Sequence, residues 1–142
     1  MKPTKDNVFL DTNTLVYLIT TKESVKGLRM IAIMEQYAPI ISTQVLQELA
    51  NVFIKKQNLD PNRVKEILEA YQNVCTLHTN TFQTIKKALD IKEKYRFSFY
   101  DSLILAAAQE TNCRFVFSED MQNQTEIAEN MTVVNPFLEF RY

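Results

Sequence analysis

The chain contains a single glycine, Gly27, among its 142 residues. Backbone loops that wrap a phosphate need glycines: the dinucleotide fingerprint GxGxxG and the phosphate loop GxxxxGK[ST] each require at least two. Both are therefore excluded. One histidine, His78, and two distant cysteines, Cys75 and Cys113, likewise exclude a four-ligand Cys/His zinc site and an HExxH helix. Any demanding chemistry has to come mainly from carboxylates.

The length predicts one domain spanning residues 1–142, which can bury about two-thirds of its unfolded surface without a disulfide or metal staple. Two cysteines provide no disulfide framework, so we expect a reducing cytoplasm and two buried thiols. The N-terminus lacks the apolar core of a signal peptide, and no apolar run approaches the ~18 residues of a membrane span. A net charge of -1 gives no overall electrostatic footprint for nucleic acid. A metal ion could still concentrate positive charge at one place.

Short apolar runs alternate with segments of helical periodicity along the whole chain. The runs are apolar at successive positions, as expected for parallel strands covered on both faces. We therefore predict an α/β fold, a three-layer α/β/α domain with a short-stranded, mainly parallel sheet. The predicted strands are residues 8–10, 40–41, 74–78, 114–117 and 131–134; the predicted helices are 14–19, 27–37, 43–56, 60–71, 81–95 and 98–111.

Two acidic residues come soon after predicted strands. Asp11 directly follows the first strand, and Asp120 follows the fourth in the sequence Phe117-Ser118-Glu119-Asp120. Ligands of parallel sheets bind outside the carboxyl ends of the strands, so parallel pairing would put both acids at one edge. Ordinary helix capping explains either residue equally well, because Asp and Ser are favoured at strand-to-helix turns.

Two further acids occupy predicted helices. Glu48 lies along the margin of an apolar stripe, where a carboxylate needs a partner or a metal because its desolvation is costly. Asp101 opens the most apolar helix, which we expect to be buried centrally. Ser98 and Asp101 also match a capping box, and capping is compatible with metal binding. The sequence does not place this helix end beside Asp11.

An all-carboxylate cluster suits Mg²⁺ or Mn²⁺, since converging acids repel one another unless they are protonated or bridged by cations. Such a metal activates water and neutralises charge on a phosphoryl group. The residues alone therefore support a hypothesis of metal-dependent phosphodiester hydrolysis.

Four motifs together resemble the PIN-domain nucleases, in particular the VapC-type toxins of prokaryotic toxin–antitoxin pairs. They are VFLDTN (8–13), QEL (47–49), FYDSLILAAA (99–108) and FSED (117–120), in the order of that family. The resemblance implies a compact α/β/α fold that binds one or two Mg²⁺ or Mn²⁺ ions. It gives the ligand and catalytic roles to Asp11, Glu48, Asp101 and Asp120. It further implies that Asn13 orients the first ligand and that Ser118 provides a polar group; Glu119 is an extra acid without an assigned role.

The resemblance also implies partners: an RNA substrate, often tRNA or ribosomal RNA, a cognate antitoxin protein and a second copy in a homodimer. Phosphate contacts could come from three basic groups, although solvated helix faces explain them too: Lys22, Lys26 and Arg29; Lys55 and Lys56; Lys92, Lys94 and Arg96. The aromatic residues Phe97, Phe99 and Tyr100 could stack on an unpaired base, with core packing as the alternative.

Two other functions compete with the nuclease. Asp11-Thr12-Asn13-Thr14-Leu15 resembles the haloacid-dehalogenase motif DxDxT, but Asn13 cannot act as its general acid. A catalytically silent PIN-like binding or scaffold module is the second alternative. We interpret His78 as structural, since it ends a predicted strand far in sequence from every acidic motif. Ser-His-Asp hydrolysis through His78 is a further alternative, which no GxSxG elbow supports.

Overall fold

A computed structural model describes residues 4–138 of the chain, so the predicted domain limits at residues 1 and 142 lie outside them. Strands and helices alternate as the sequence predicts. In chain order they are β1 (Asn7–Leu10), α1 (Thr12–Thr20), α2 (Val25–Gln36), β2 (Ala38–Ser42), α3 (Thr43–Lys55), α4 (Pro61–Val74), β3 (Thr76–His78), α5 (Phe82–Tyr95), α6 (Phe99–Glu110), β4 (Phe115–Phe117), β5 (Glu126–Ile127) and β6 (Met131–Val134).

Within residues 4–138 the six strands form one sheet in the order β3-β2-β1-β4-β6-β5. All neighbouring pairs are parallel except β5 and β6. After β1 the chain moves to β2 on one side, and after β4 it moves to β6 on the other. Helices α1–α4 lie in the connections from β1 to β2 and from β2 to β3, and α5 and α6 lie in the return connection from β3 to β4. These right-handed crossovers run in opposite directions and put helices on both faces. They also leave a crevice between the carboxyl ends of β1 and β4. The predicted α/β class and mainly parallel sheet are confirmed.

The core runs through the central strands and α6. All three residues of β4 are buried, as are Val8, Phe9 and Leu10 of β1, so both faces of these strands are covered. Helix α6 is buried over residues 102–108, as its all-round apolar character predicts. Both cysteines are buried and unpaired, and burial raises the pKa of the Cys75 thiol to about 12. No helix of residues 4–138 is long and apolar enough to cross a bilayer.

The element boundaries differ from the prediction where local hydrogen bonds decide them. Helix α1 begins two residues early, because the Asp11 side chain caps it by accepting from the backbone N–H of Thr12. Ser24 caps α2 in the same way and moves its start back to Val25. The third strand loses its first two residues, because α4 continues through Val74. Strand β5 was not predicted, since a strand of two residues carries no apolar pattern.

Gly27 lies in the first turn of α2, where the helix touches the backbone of the preceding loop. A Cβ atom at this position would lie 2.3 Å from the Thr21 carbonyl oxygen and 2.6 Å from backbone atoms of Lys22. Both contacts are with backbone, which cannot rotate away as a side chain could. The single glycine therefore allows a close approach between helix and loop.

We expect Gly27→Ala to lower the free energy of unfolding by up to roughly 2 kcal/mol. Overpacking of this kind costs about 1–3 kcal/mol, and the gain in helix propensity returns about 1 kcal/mol. Urea denaturation measures the change. Val25→Ala in the same turn is the control, because Val25 is 86% exposed. Equal effects of the two substitutions would contradict the close-approach explanation.

Candidate functional site

Asp11 stands at the crevice between β1 and β4. Its backbone N–H donates to the Phe117 carbonyl at 3.0 Å, which extends the pairing of the two strands by one residue. Its carboxylate accepts from Ser118 Oγ at 2.7 Å and from the Thr12 N–H at 2.8 Å. The residue is only 7% exposed. Asp11 is thus a buried carboxylate held in one orientation by two donors.

The surroundings of Asp11 disfavour its charged form. Burial raises the pKa of Asp11 to about 6, and the negative charges of Glu48 and Asp101 act in the same direction. The hydrogen bonds from Ser118 and Thr12 offset only part of this shift. Acids from three separate elements therefore share one electrostatic environment.

Glu48 reaches the same place from α3. The buried side chains Val45, Leu49 and Phe53 fix the apolar face of this helix against the core and leave Glu48 half-buried at its margin. Thr12 Oγ1 donates to Glu48 Oε1 at 3.0 Å. Burial raises the pKa of Glu48, and so do the charges of Asp101 and Asp120. The half-buried Glu48 carboxylate therefore has the partner that we expected, the hydroxyl of Thr12.

Asp101 lies in the first turn of α6, which points its amino end toward the crevice. Ser98 caps the helix, and its hydroxyl accepts from the Asp101 N–H at 3.1 Å. Burial raises the pKa of the half-buried Asp101 carboxyl, and the nearby charge of Asp120 raises it further. The cap and the acid are therefore compatible, as expected. The tertiary fold brings this helix end to Asp11.

Asp120 is the exposed member of the group. Its backbone N–H donates to Ser118 Oγ at 3.2 Å, and the Asn13 amide donates to its carboxylate. We expected Asn13 to orient Asp11, and this interpretation needs correction. Asn13 is an exposed residue of α1 and extends across the crevice, whereas Asp11 faces inward and is held by Ser118.

Glu119 does not join the other acids. Tyr17 Oη donates to Glu119 Oε1 at 2.6 Å, and Lys26 forms an ion pair with the other carboxylate oxygen. The Lys26 ammonium also lies 5.0 Å from the Tyr17 ring centre and 5.1 Å from that of Phe137. This cluster ties the loop after β4 to α1 and α2, and it occupies one of the lysines that we considered for phosphate binding.

Gln44 is a site residue that sequence reasoning missed. It lies one turn before Glu48 on α3 and is 6% exposed, and its amide acts against the effect of burial on the pKa of the Glu48 carboxyl. Its Nε2 donates to the Tyr100 carbonyl at 3.1 Å, so it joins α3 to the start of α6. Within residues 4–138 the buried Oε1 has no hydrogen-bond partner. The spacing of four residues from Glu48 is the one signal that could have identified it.

His78 pairs with Glu110 across 3.1 Å, and Thr84 donates to the same carboxylate oxygen at 2.6 Å. Glu110 is at the last turn of α6, away from Asp101. This arrangement agrees with the structural interpretation of the histidine.

The chemistry of the acidic group fits a divalent cation such as Mg²⁺ or Mn²⁺. All its donors are carboxylate, hydroxyl or amide oxygens, which these hard cations prefer. A cation would also relieve the desolvation and mutual repulsion that raise the pKa values of three of the acids. As oriented here, no three Asp, Glu, His or Cys side chains of residues 4–138 form a metal-binding group. The carboxylates instead accept hydrogen bonds from Ser118, Thr12 and Asn13.

Comparison with known proteins identifies the fold. The family model of the PIN domain matches residues 8–130. A toxin–antitoxin complex from Klebsiella pneumoniae has a TM-score of 0.68 and 19% identity, over 91% of this chain and 97% of that one. VapBC2 of Rickettsia felis, bound to a fragment of its promoter DNA, has a TM-score of 0.67 and 15% identity, over 89% and 96%.

VapC20 of Mycobacterium tuberculosis, a toxin that cleaves the sarcin–ricin loop, has a TM-score of 0.63 and 16% identity, over 80% of this chain and 91% of that one. At sequence identities this low, the likeness to these three structures is a likeness of fold alone. No curated protein matches the chain.

Proposed function

The chain belongs to the PIN-domain family, and we propose that it is a metal-dependent endoribonuclease acting as the toxin of a toxin–antitoxin pair. One observation carries the proposal. Four acids from β1, α3, α6 and the loop after β4 meet at the crevice where the sheet connections diverge, and they interact electrostatically. A structural core has no need of such a desolvated cluster, whereas cation-assisted hydrolysis does.

Each acid would contribute differently to binding the cation. Asp11 is the buried ligand, fixed by Ser118 and Thr12. Glu48 and Asp101 approach from two helices that Gln44 holds together. Asp120, which accepts a hydrogen bond from Asn13, is the exposed ligand. When bound, Mg²⁺ or Mn²⁺ would supply an activated water and neutralise phosphoryl charge.

Protein partners are part of the proposal. The structural neighbours include toxin–antitoxin complexes, which supports a cognate antitoxin. Two helices each expose a stripe of large apolar side chains, which supports such a partner and a homodimer because large exposed apolar patches mark interaction sites. One stripe consists of Val25, Leu28 and Ile31 on α2, and the other of Ile85 and Leu89 on α5. The likeness to VapC20, a toxin that cleaves the sarcin–ricin loop, supports an RNA substrate. The class that we propose is tRNA or ribosomal RNA.

The test incubates bulk cellular RNA with purified full-length protein in Mn²⁺, in Mg²⁺ and in chelator. We expect discrete metal-dependent fragments, reduced at least about 100-fold in rate for Asp101→Asn and Asp120→Asn, since even outer-shell partners of metals contribute 10–100-fold. Glu119→Gln should retain cleavage, because Lys26 and Tyr17 bind that side chain outside the cluster. Asp90→Asn on the exposed face of α5 is the control for surface charge.

Intact RNA in every lane would contradict the nuclease. If Mn²⁺ also failed to raise the melting temperature, the protein would not bind the metal, since a ligand that binds only the folded state must stabilise it. A catalytically silent binding module would then be the remaining function.

A further inference from the structure

Tyr100 is an exposed aromatic residue directly beside the acidic cluster. It precedes Asp101 in the first turn of α6, and 66% of its surface is accessible. Phe97 and Phe99, the neighbouring aromatic residues, are partly buried and pack against the hydrophobic core. Of the three aromatic residues that the sequence singles out, Tyr100 is thus the one with a free ring face.

The surroundings of Tyr100 hold its ring in a defined position. The Phe99 ring meets it edge-on at 71°, with 5.5 Å between the ring centres. Gln44 anchors the Tyr100 backbone by donating to its carbonyl, and Ser98 caps the helix turn that carries it. A ring prepositioned in this way loses little conformational entropy when a flat ligand binds.

Positive charge flanks the same segment. Arg96, at the end of α5, is exposed and adopts the left-handed conformation with φ of 64°, and Lys92 donates to the Phe97 carbonyl at 3.3 Å. Six consecutive residues therefore present a guanidinium, an exposed aromatic ring and an acid of the cluster. Nucleic-acid sites that bind unpaired strands combine the first two features, because the bases stack on rings while cations contact the phosphates.

We propose that Tyr100 is a base-stacking platform, on which an unpaired nucleobase of single-stranded RNA lies while a neighbouring phosphate enters the acidic cluster. The proposal rests on the proposed nuclease function and specifies its substrate: a loop or single-stranded segment. A base within a duplex cannot offer its face to the ring. Every nucleobase has such a face, so this subsite selects for unpaired structure and not for sequence.

The test measures fluorescence anisotropy of labelled, unstructured oligouridine RNA with the full-length protein in chelator, which prevents metal-dependent cleavage. We expect Tyr100→Leu to raise the Kd roughly 5- to 100-fold, the range that a lost stacking contact produces. Tyr100→Phe keeps the ring and should bind like the wild type. The same strand annealed to its complement should bind more weakly to the wild type and be insensitive to Tyr100→Leu.

Phe82→Leu is the matched control. Phe82 is 70% exposed and is the first residue of α5. The first turn of α5 forms a hydrogen bond with Glu110, which lies at the other end of α6 from Asp101. We expect it to leave the RNA affinity unchanged. Equal shifts for Phe82→Leu and Tyr100→Leu would overturn the stacking proposal, because they would indicate a general loss of exposed apolar surface.

Cleavage by the same preparations separates the two proposals. If the wild type cleaves RNA in Mn²⁺ and Tyr100→Leu binds oligouridine as tightly as the wild type does, the stacking proposal is wrong and the nuclease proposal stands. If Tyr100→Leu abolishes self-association in size-exclusion chromatography without changing RNA affinity, the ring belongs to a protein interface and stacking is again wrong. If the wild type neither binds nor cleaves RNA, the nuclease proposal fails and the stacking proposal fails with it.

Discussion

Asp11→Asn should slow metal-dependent RNA cleavage at least about 100-fold while making the metal-free protein more stable. The loss follows from removing the buried carboxylate, because the neutral amide of asparagine does not supply the negative charge that would bind the cation. The gain follows from burial, which raises the pKa of Asp11 to about 6, so the charged carboxylate destabilises the fold at neutral pH. Cleavage rates in Mn²⁺ and melting temperatures in chelator measure the two effects.

The opposite signs of these effects make the prediction specific. An ordinary capping aspartate, replaced by asparagine, would change stability little and leave melting in Mn²⁺ and in chelator alike. Asp60→Asn, at the cap of α4, provides that comparison within the same chain. A lower melting temperature for Asp11→Asn in chelator would contradict the cost that we assign to the buried charge.

The stability of the metal-free protein should fall by about 2 kcal/mol between pH 4 and pH 7 through Asp11 alone. Below the unfolded pKa of 3.8 the carboxyl is protonated in both states and contributes nothing. Between pH 3.8 and about 6 the unfolded chain releases this proton while the folded protein keeps it, so rising pH favours unfolding. Above pH 6 the cost is constant, at about 1.4 kcal/mol for each unit between the two pKa values.

Urea denaturation of the wild type and of Asp11→Asn across this pH range isolates the contribution, since the other titrating groups are common to both proteins. The difference in unfolding free energy should grow from pH 4 to pH 6 and then level off. Burial also raises the pKa values of Glu48 and Asp101, so the Asp11→Asn variant retains part of the pH trend. A difference that stays flat with pH would contradict the raised pKa. Excess Mn²⁺ above pH 6 should offset the loss, because cation binding requires the deprotonated acids.

The sequence predicts the part of the site that depends on sheet geometry. Asp11 and Asp120 follow strands of a parallel sheet, and the rule that carboxyl ends share an edge brings them to one crevice. Glu48 is predictable as an acid at the margin of an apolar helix face. The prediction of these positions needs only the local hydrophobic periodicity and the expectation of a parallel sheet, and both come from the sequence.

Other features depend on side-chain contacts between distant segments. The arrival of Asp101 beside Asp11 requires the packing of α6 across the sheet, which no spacing encodes. Glu119 and Asp120 are adjacent in sequence, and Lys26, 93 residues earlier, determines which of them turns away from the crevice. The amide of Gln44 contacts a backbone carbonyl, a partner that has no sequence signature.

The pairing of β1 with β4 has a consequence for how the protein is made. Leu10 aligns with Phe117, so the strand that begins the chain finds this neighbour only after most residues have been added. Asp101, Ser118 and Asp120 also come late, and Asp11 obtains its anchoring hydroxyl only with Ser118. Domains fold as units during synthesis, so a nascent chain released before β4 lacks the completed crevice. Translation products that terminate before Ser118 consequently lack the residues that complete the crevice, and the proposed nuclease activity can arise only after β4 and the loop that follows it have been synthesised.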